Sequence, residues 1–307
     1  MYRKLNRKIL AAIFVVLLAI VVLVELADFR KGGRTFREDL VEVETDRVTS
    51  MEIFPKVIGG EVIRLTRQDE MWFVESGDKR YNADNSLVAS MINELNRARP
   101  ESVVATDKSR WQQYEVTDSL GTQVKLYSGT ELLAGLVIGK FSFSQPRKMT
   151  SYVRLADEDE VYGVDGMLGM SFNRNINSFR DRTVISSSSA DWRKLTFSYP
   201  ADSSFILEQT AGGWSIGSQS VDSASVVEYF SSVSNLDHGQ FAEDEPVIDV
   251  THKLVIEGNN EMQSIEINGY YVDEENFIVE SSQNKGSFFK SKELADKIFI
   301  SQDRFIK

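Results

Sequence analysis

The sequence predicts an α+β protein: an N-terminal transmembrane helix followed by two tandem, internally repeated α+β subdomains with mainly antiparallel sheets. Three observations predict it. Residues 9–24 hold sixteen successive side chains with no charge, glycine or proline. A segment with strand-like runs, Trp72 and an amphipathic helix returns as a second copy around Trp214. Within each copy the connections between strand-like runs are too short for parallel crossovers.

The first eight residues form a basic tail through Arg3, Lys4, Arg7 and Lys8. The apolar run behind it extends about 24 Å as a helix, and with Leu26 and Ala27 it approaches the thickness of a hydrocarbon core. A core helix of this length would show a polar stripe, and this one is apolar all round. The expected span is therefore 9–27. A cleaved signal peptide shares the basic start and the apolar run, but the best cleavage point, after Ala27, has Glu25 at its −3 position. Residues 28–46 read as a juxtamembrane linker.

The first repeat is expected over 47–187. "VTSMEIF" and "EVIRLTR" alternate apolar and polar residues as strands do, and a third strand carries Trp72. A helix comes next, capped by Asp84 or Asn85, with Leu87, Met91 and Leu95 at helical spacing. "QVKLYSGTELLAGLVIG" and "SYVRLADEDEVYGVD" read as hairpins, and a short helix near 166–172 closes the copy. The second repeat, 188–307, runs through "RKLTFSY", "FILEQT", Trp214, a helix capped by Asp222 or Ser225, "THKLVIEGNNEMQSIEING", "FIVESSQNKGSFFKS" and a closing helix near 292–299. The serine run within 184–192 marks the boundary.

Composition removes several chemistries. The chain has no cysteine, so thiol nucleophiles, disulfides and thiolate metal sites are excluded. Its formal net charge of −11 disfavours nucleic acid as a partner. His238 and His252 lie in different elements without metal-ligand spacing, and no nucleophile elbow, phosphate loop or dinucleotide fingerprint occurs. The acidic clusters at 156–160 and 272–276 fall between paired strands, where charged turn residues are ordinary. Trp72 and Trp214 suit core packing better than sugar stacking because both directly precede a helix. "KFSFSQPRKMTSYVRL", residues 140–155, reads as a long loop present in the first copy alone. Its Phe141, Phe143, Arg147 and Lys148 are the expected partner contact.

The ordered series "DLVEVETDRVTSMEIFP", "MWFV", "WQQYEVTDSLGTQVKLY", "LVIGKFSF", "SYVRLADEDEVYGVDG" and "FRDRTVI" resembles the bacterial family known as domain of unknown function 4340. The resemblance implies an N-terminal membrane helix, an extracytoplasmic body and a link to auxiliary components of ABC-type transporters of the gliding-motility kind. It supplies no active-site residues. The expected function is that of a non-enzymatic, membrane-anchored accessory or scaffold protein of such an envelope complex, without cofactor or metal. Its expected partners are membrane lipid, through the helix, and a membrane or envelope protein. Its expected place is the bacterial inner membrane, single-pass, with the body on the periplasmic side. A module binding an envelope glycan or other ligand is the alternative, and a carboxylate-dependent hydrolase ranks third.

Overall fold

The computed structural model describes Leu18 and residues 39–56, 61–145, 148–259 and 262–306. Its first sheet has nine strands: β1 (Ser50–Phe54), β2 (Ile63–Gln68), β3 (Met71–Ser76), β4 (Lys79–Asn82), β5 (Pro100–Ala105), β6 (Thr122–Ser128), β7 (Glu131–Ser144), β8 (Lys148–Leu155) and β9 (Val161–Asp165). They lie in the order β4-β3-β2-β1-β6-β7-β8-β9-β5, every neighbouring pair antiparallel. Register is set by burial. Met51 faces Leu65 and Leu126, and Ile53 faces Ile63 and Val124, so the apolar positions of neighbouring strands fall on one face. Helix α1 (Asn85–Arg97) covers that face with Val88, Met91, Ile92 and Leu95. The Asp84 carboxylate accepts from Leu87 N at its start, a cap that contributes about 1 kcal/mol.

Among the described residues, the opposite face is covered only at one end. There α2 (Trp111–Tyr114) and the turn after it place Tyr114 and Val116 over Val137 and Val161. Arg154 is 3% exposed and holds this cover in place. It donates from Nε to the Val116 carbonyl at 3.1 Å, pairs through Nη2 with Asp118 at 2.8 Å and lies 3.9 Å over the Trp111 ring. The close approach depends on Gly139, because a Cβ there would collide with the Tyr114 carbonyl oxygen and lie 2.8 Å from Val116 Cγ1. Gly139→Ala should therefore cost about 1–3 kcal/mol by overpacking, read as a lower urea midpoint with an unchanged slope.

After α3 (Gly169–Phe172), strand β10 (Thr183–Ser186) leads into a second sheet. Its strands are β11 (Trp192–Ser198), β12 (Phe205–Thr210), β13 (Gly213–Ile216), β14 (Gln219–Ser220), β16 (His252–Gly258), β17 (Ile265–Tyr271), β18 (Phe277–Ser281) and β19 (Phe288–Lys290). The order β14-β13-β12-β11-β16-β17-β18-β19 repeats the first eight positions of the first sheet. Helix α4 (Ser223–Val233), capped by Asp222, lies over it, and β15 (Asn235–Asp237) pairs with β10. Helix α5 (Lys292–Ile298) comes after β19 and buries Leu294, Ala295 and Ile298. Each sheet has its own core, and Val184 and Ile185 belong to the second.

Two parts of the expected fold class are corrected. The chain is mostly antiparallel sheet, because each long sheet carries only one helix of three turns or so on its covered face. The N-terminal transmembrane helix is not seen: among the described residues no helix is long and apolar enough to cross a membrane. Apart from Leu18, the expected span of 9–27 lies outside the described residues. Hydropathy records how favourably a run leaves water, and it does not by itself fix the run's conformation.

Candidate functional site

Residues 140–144 and 148–155 are paired strands, not loop. β7 and β8 continue outward as a hairpin in which Phe141 faces Ser151, Ser142 faces Thr150, Phe143 faces Met149 and Ser144 faces Lys148. A register shift between Ile138 and Phe141, around Gly139, bends the strand and re-aims its outer half. Paired residues share a face, so Phe141 and Phe143 stand beside Met149. Ser142 and Tyr152 lie on the other face and bond to each other at 3.0 Å.

The apolar side of the hairpin continues the face that α1 covers further in. Val153 is fully buried there, and Ser151 binds the Gly166 carbonyl and the Leu168 amide. Beyond Ser151 the cover ends. Phe141 is 57% exposed, Phe143 58% and Met149 39%. Met170, also exposed, sits on α3, which packs against β7. Lys148 donates to Glu101 on β5 at 2.6 Å, and this hydrogen bond raises its pKa and keeps the ammonium charged. Arg147, the remaining expected contact residue, lies outside the described residues.

A second cluster joins the two sheets. Arg180 is 2% exposed and lies between two rings, with its guanidinium carbon 3.6 Å from the centroid of Tyr81 on β4 and 3.6 Å from that of Phe241 beyond β15. Nη1 donates to Asn177 Oδ1 at 3.3 Å and Nη2 to Ser287 Oγ at 3.4 Å, while Nε has no hydrogen-bond partner among the described residues. Burial pulls its pKa down to about 10. Backbone bonds frame it: Asp84 N to the Phe179 carbonyl and Asp181 N to the Asn82 carbonyl. The fully buried Asn284 bonds Asn82 on one side and the Asp181 carbonyl on the other. Beside this seam lies an open depression of about 370 Å³ whose wall mixes Asp84, Asp181 and Asp237 with Arg174 and Arg182.

His252 lies among Tyr199, Phe277 and Phe299, and burial lowers its pKa; burial also lowers that of His238 beside Phe289. In the 272–276 cluster, Asp273 accepts from the Glu275 and Asn276 amides and from Asn276 Nδ2. The Asn276 bond comes first among the causes that lower its pKa, so this carboxylate builds its own turn. No group of three or more metal-ligating side chains occurs among the described residues. Trp72 is 7% exposed within the first core, and Trp214 is half-buried against Phe230.

Sequence reasoning missed Met149, Met170 and Arg180. Met149 is legible as the third apolar residue of an alternating run once Phe141 and Phe143 are read as strand positions. Arg180 stands in "FRDRTVI", where no periodicity separates it from Arg182.

Fold and site together define a tandem antiparallel-sheet protein with a buried seam and a hairpin that exposes apolar side chains on one face. The family model "Domain of unknown function (DUF4340)" matches residues 72–252, and the chain belongs to that family. No curated protein and no solved structure matches it.

Proposed function

We propose that this chain is a non-enzymatic, extracytoplasmic accessory protein of a bacterial envelope assembly that holds a partner protein on the β7–β8 hairpin. The observation that carries the reading is the exposure of Phe141, Phe143 and Met149 side by side on one face of a projecting hairpin. Aromatic residues and methionine are enriched where proteins meet, and burying each such side chain contributes about 1.5–3 kcal/mol. The paired strands hold the rings in place, so little ordering entropy is lost on docking. The extracytoplasmic setting is supported by the basic and then apolar start of the sequence. The ABC-type assembly is supported by the family resemblance alone. The glycan-binding alternative loses one of its two platforms, since Trp72 is a core residue.

The test is a double substitution, Phe141→Ser with Phe143→Ser, in the full chain. Because both side chains are exposed, stability should stay within about 0.5 kcal/mol of the unsubstituted protein. Crosslinking in cells and then mild detergent extraction should lose the partner that the unsubstituted chain retains. Equal recovery of the same partner by a folded variant would refute the hairpin as the docking surface.

A further inference from the structure

The outer half of β7 has an open edge. β6 begins at Thr122, opposite Ile138, and β7 runs on to Ser144 without it. In an antiparallel ladder the backbone groups of successive residues point to alternate sides. The Gly166 amide donates to the Met149 carbonyl at 2.9 Å, so Met149 turns its groups toward β9 and away from β7. Phe143 lies opposite Met149, and Phe141 lies opposite Ser151, further along β8 on the same side of the alternation. Both phenylalanines therefore turn their N–H and C=O away from β8, toward the side that β6 has left. Among the described residues no hydrogen bond reaches these groups. The same two residues carry the exposed rings, so an unpaired backbone edge and an apolar face coincide.

The second repeat fills the matching place with extended chain. There the segment leading into β16 runs beside the outer end of β17: Thr251 N donates to the Gly269 carbonyl at 2.9 Å, and Tyr271 N donates to Thr251 Oγ1 at 3.1 Å. In the first repeat the chain before β6 turns instead through α2 over the opposite face. The outer edges at β4, β19 and β5 are closed or broken. The Asn82 carbonyl on β4 accepts from Asp181 N, β19 bonds to residues 240 and 242, and β5 is interrupted by two register shifts. On the reading of the hairpin as a protein-binding surface, we infer that the partner docks by adding an extended segment to the β7 edge, antiparallel to it as β6 and β8 are. The residues opposite Phe141 and Phe143 turn their own N–H and C=O to β7 and lay apolar side chains beside the two rings and Met149. The residue between them shares the polar face of Ser142 and Tyr152. The segment that fits alternates apolar, polar, apolar, and has no proline at the apolar positions, where the N–H is needed.

Strand addition draws its affinity from the main chain, so a generic strand serves as the probe. It is a synthetic peptide of alternating valine and threonine with a lysine at each blocked end, used unmethylated, N-methylated on its valines, or N-methylated on its threonines. Amide exchange of the full-length chain in mild detergent is read residue by residue. Without peptide, the Phe141 and Phe143 amides should exchange fast and those of Ser142 and Ser144, which face β8, slowly. The unmethylated peptide should slow Phe141 and Phe143 about tenfold at about 90% occupancy. The threonine-methylated form should do the same and the valine-methylated form should not, because the valine amides face β7. No slowing by the unmethylated peptide, or equal slowing by the two methylated forms, would overturn strand addition. Protection of Phe141 and Phe143 that rises with protein concentration before any peptide is added would also overturn it, because a second copy would then fill the edge. If the peptides leave these amides unmoved while the Phe141→Ser, Phe143→Ser variant still loses its crosslinked partner, the hairpin reading stands and the partner packs side chains there without adding a strand.

Discussion

Trp192→Ala should lower stability by about 3–5 kcal/mol, the range for emptying a core aromatic site. Trp192 opens β11 at 0% exposure, with its ring 4.8 Å from that of Phe230 in an edge-on arrangement. Its Nε1 donates to Ser187 Oγ at 2.9 Å, which ties the second core to the connection that enters it. Alanine would open a cavity and remove the partner of Ser187. Trp192→Phe keeps most of the ring volume and loses the hydrogen bond, so about 1–2 kcal/mol is expected. Trp214→Ala should fall below Trp192→Ala, because the Trp214 ring is half-buried at the rim. Urea unfolding with unchanged slope checks the ranking, and Trp214→Ala matching Trp192→Ala would show that the rim ring is as deeply packed as the core one.

The comparison of Trp192 with Trp214 shows what the sequence carries and what it leaves out. Pattern matching places Trp72 and Trp214 at equivalent positions, and both do sit on the third strand of their sheets. Burial at those positions is unequal, since it depends on which side chains the facing helix brings, and a pairwise alignment of strands does not contain that. Trp192 precedes its repeat's first strand by sequence pattern and draws no notice, yet it is among the largest fully buried side chains. Local chemistry is more legible. Asp84 and Asp222 are each the capping residue, because a short carboxylate before an apolar helical run has an amide three residues on within reach. The hairpin at 140–155 reads as a loop in the sequence because Ser142, Ser144 and Pro146 dilute an alternation that the pairing with Met149–Ser151 makes plain. The pairing is a long-range fact, and turn-forming composition points the other way. The seam is the least legible feature, since Tyr81, Arg180 and Phe241 are far apart in the chain and meet only when both sheets are folded.

That seam makes a sharp prediction. Arg180→Ala should cost about 2–4 kcal/mol, since it deletes a buried side chain held between two rings and leaves Asn177 and Ser287 without their donor. The loss should fall on the junction, so calorimetry should show the two sheets unfolding in separated steps, with faster amide exchange over 181–186. Charge and stacking are separable here. Lysine keeps the charge but has no planar face to lay between Tyr81 and Phe241, so Arg180→Lys should lose most of the stabilisation. Methionine fills the gap without charge and removes the cost of burying a cation that lacks a hydrogen bond at Nε, so Arg180→Met should lie closer to the unsubstituted protein. If lysine were the better tolerated of the two, the ammonium would be finding an acceptor in the seam, and the joint would be electrostatic. With methionine the better tolerated, the joint is a stacked one that solvent ions do not loosen.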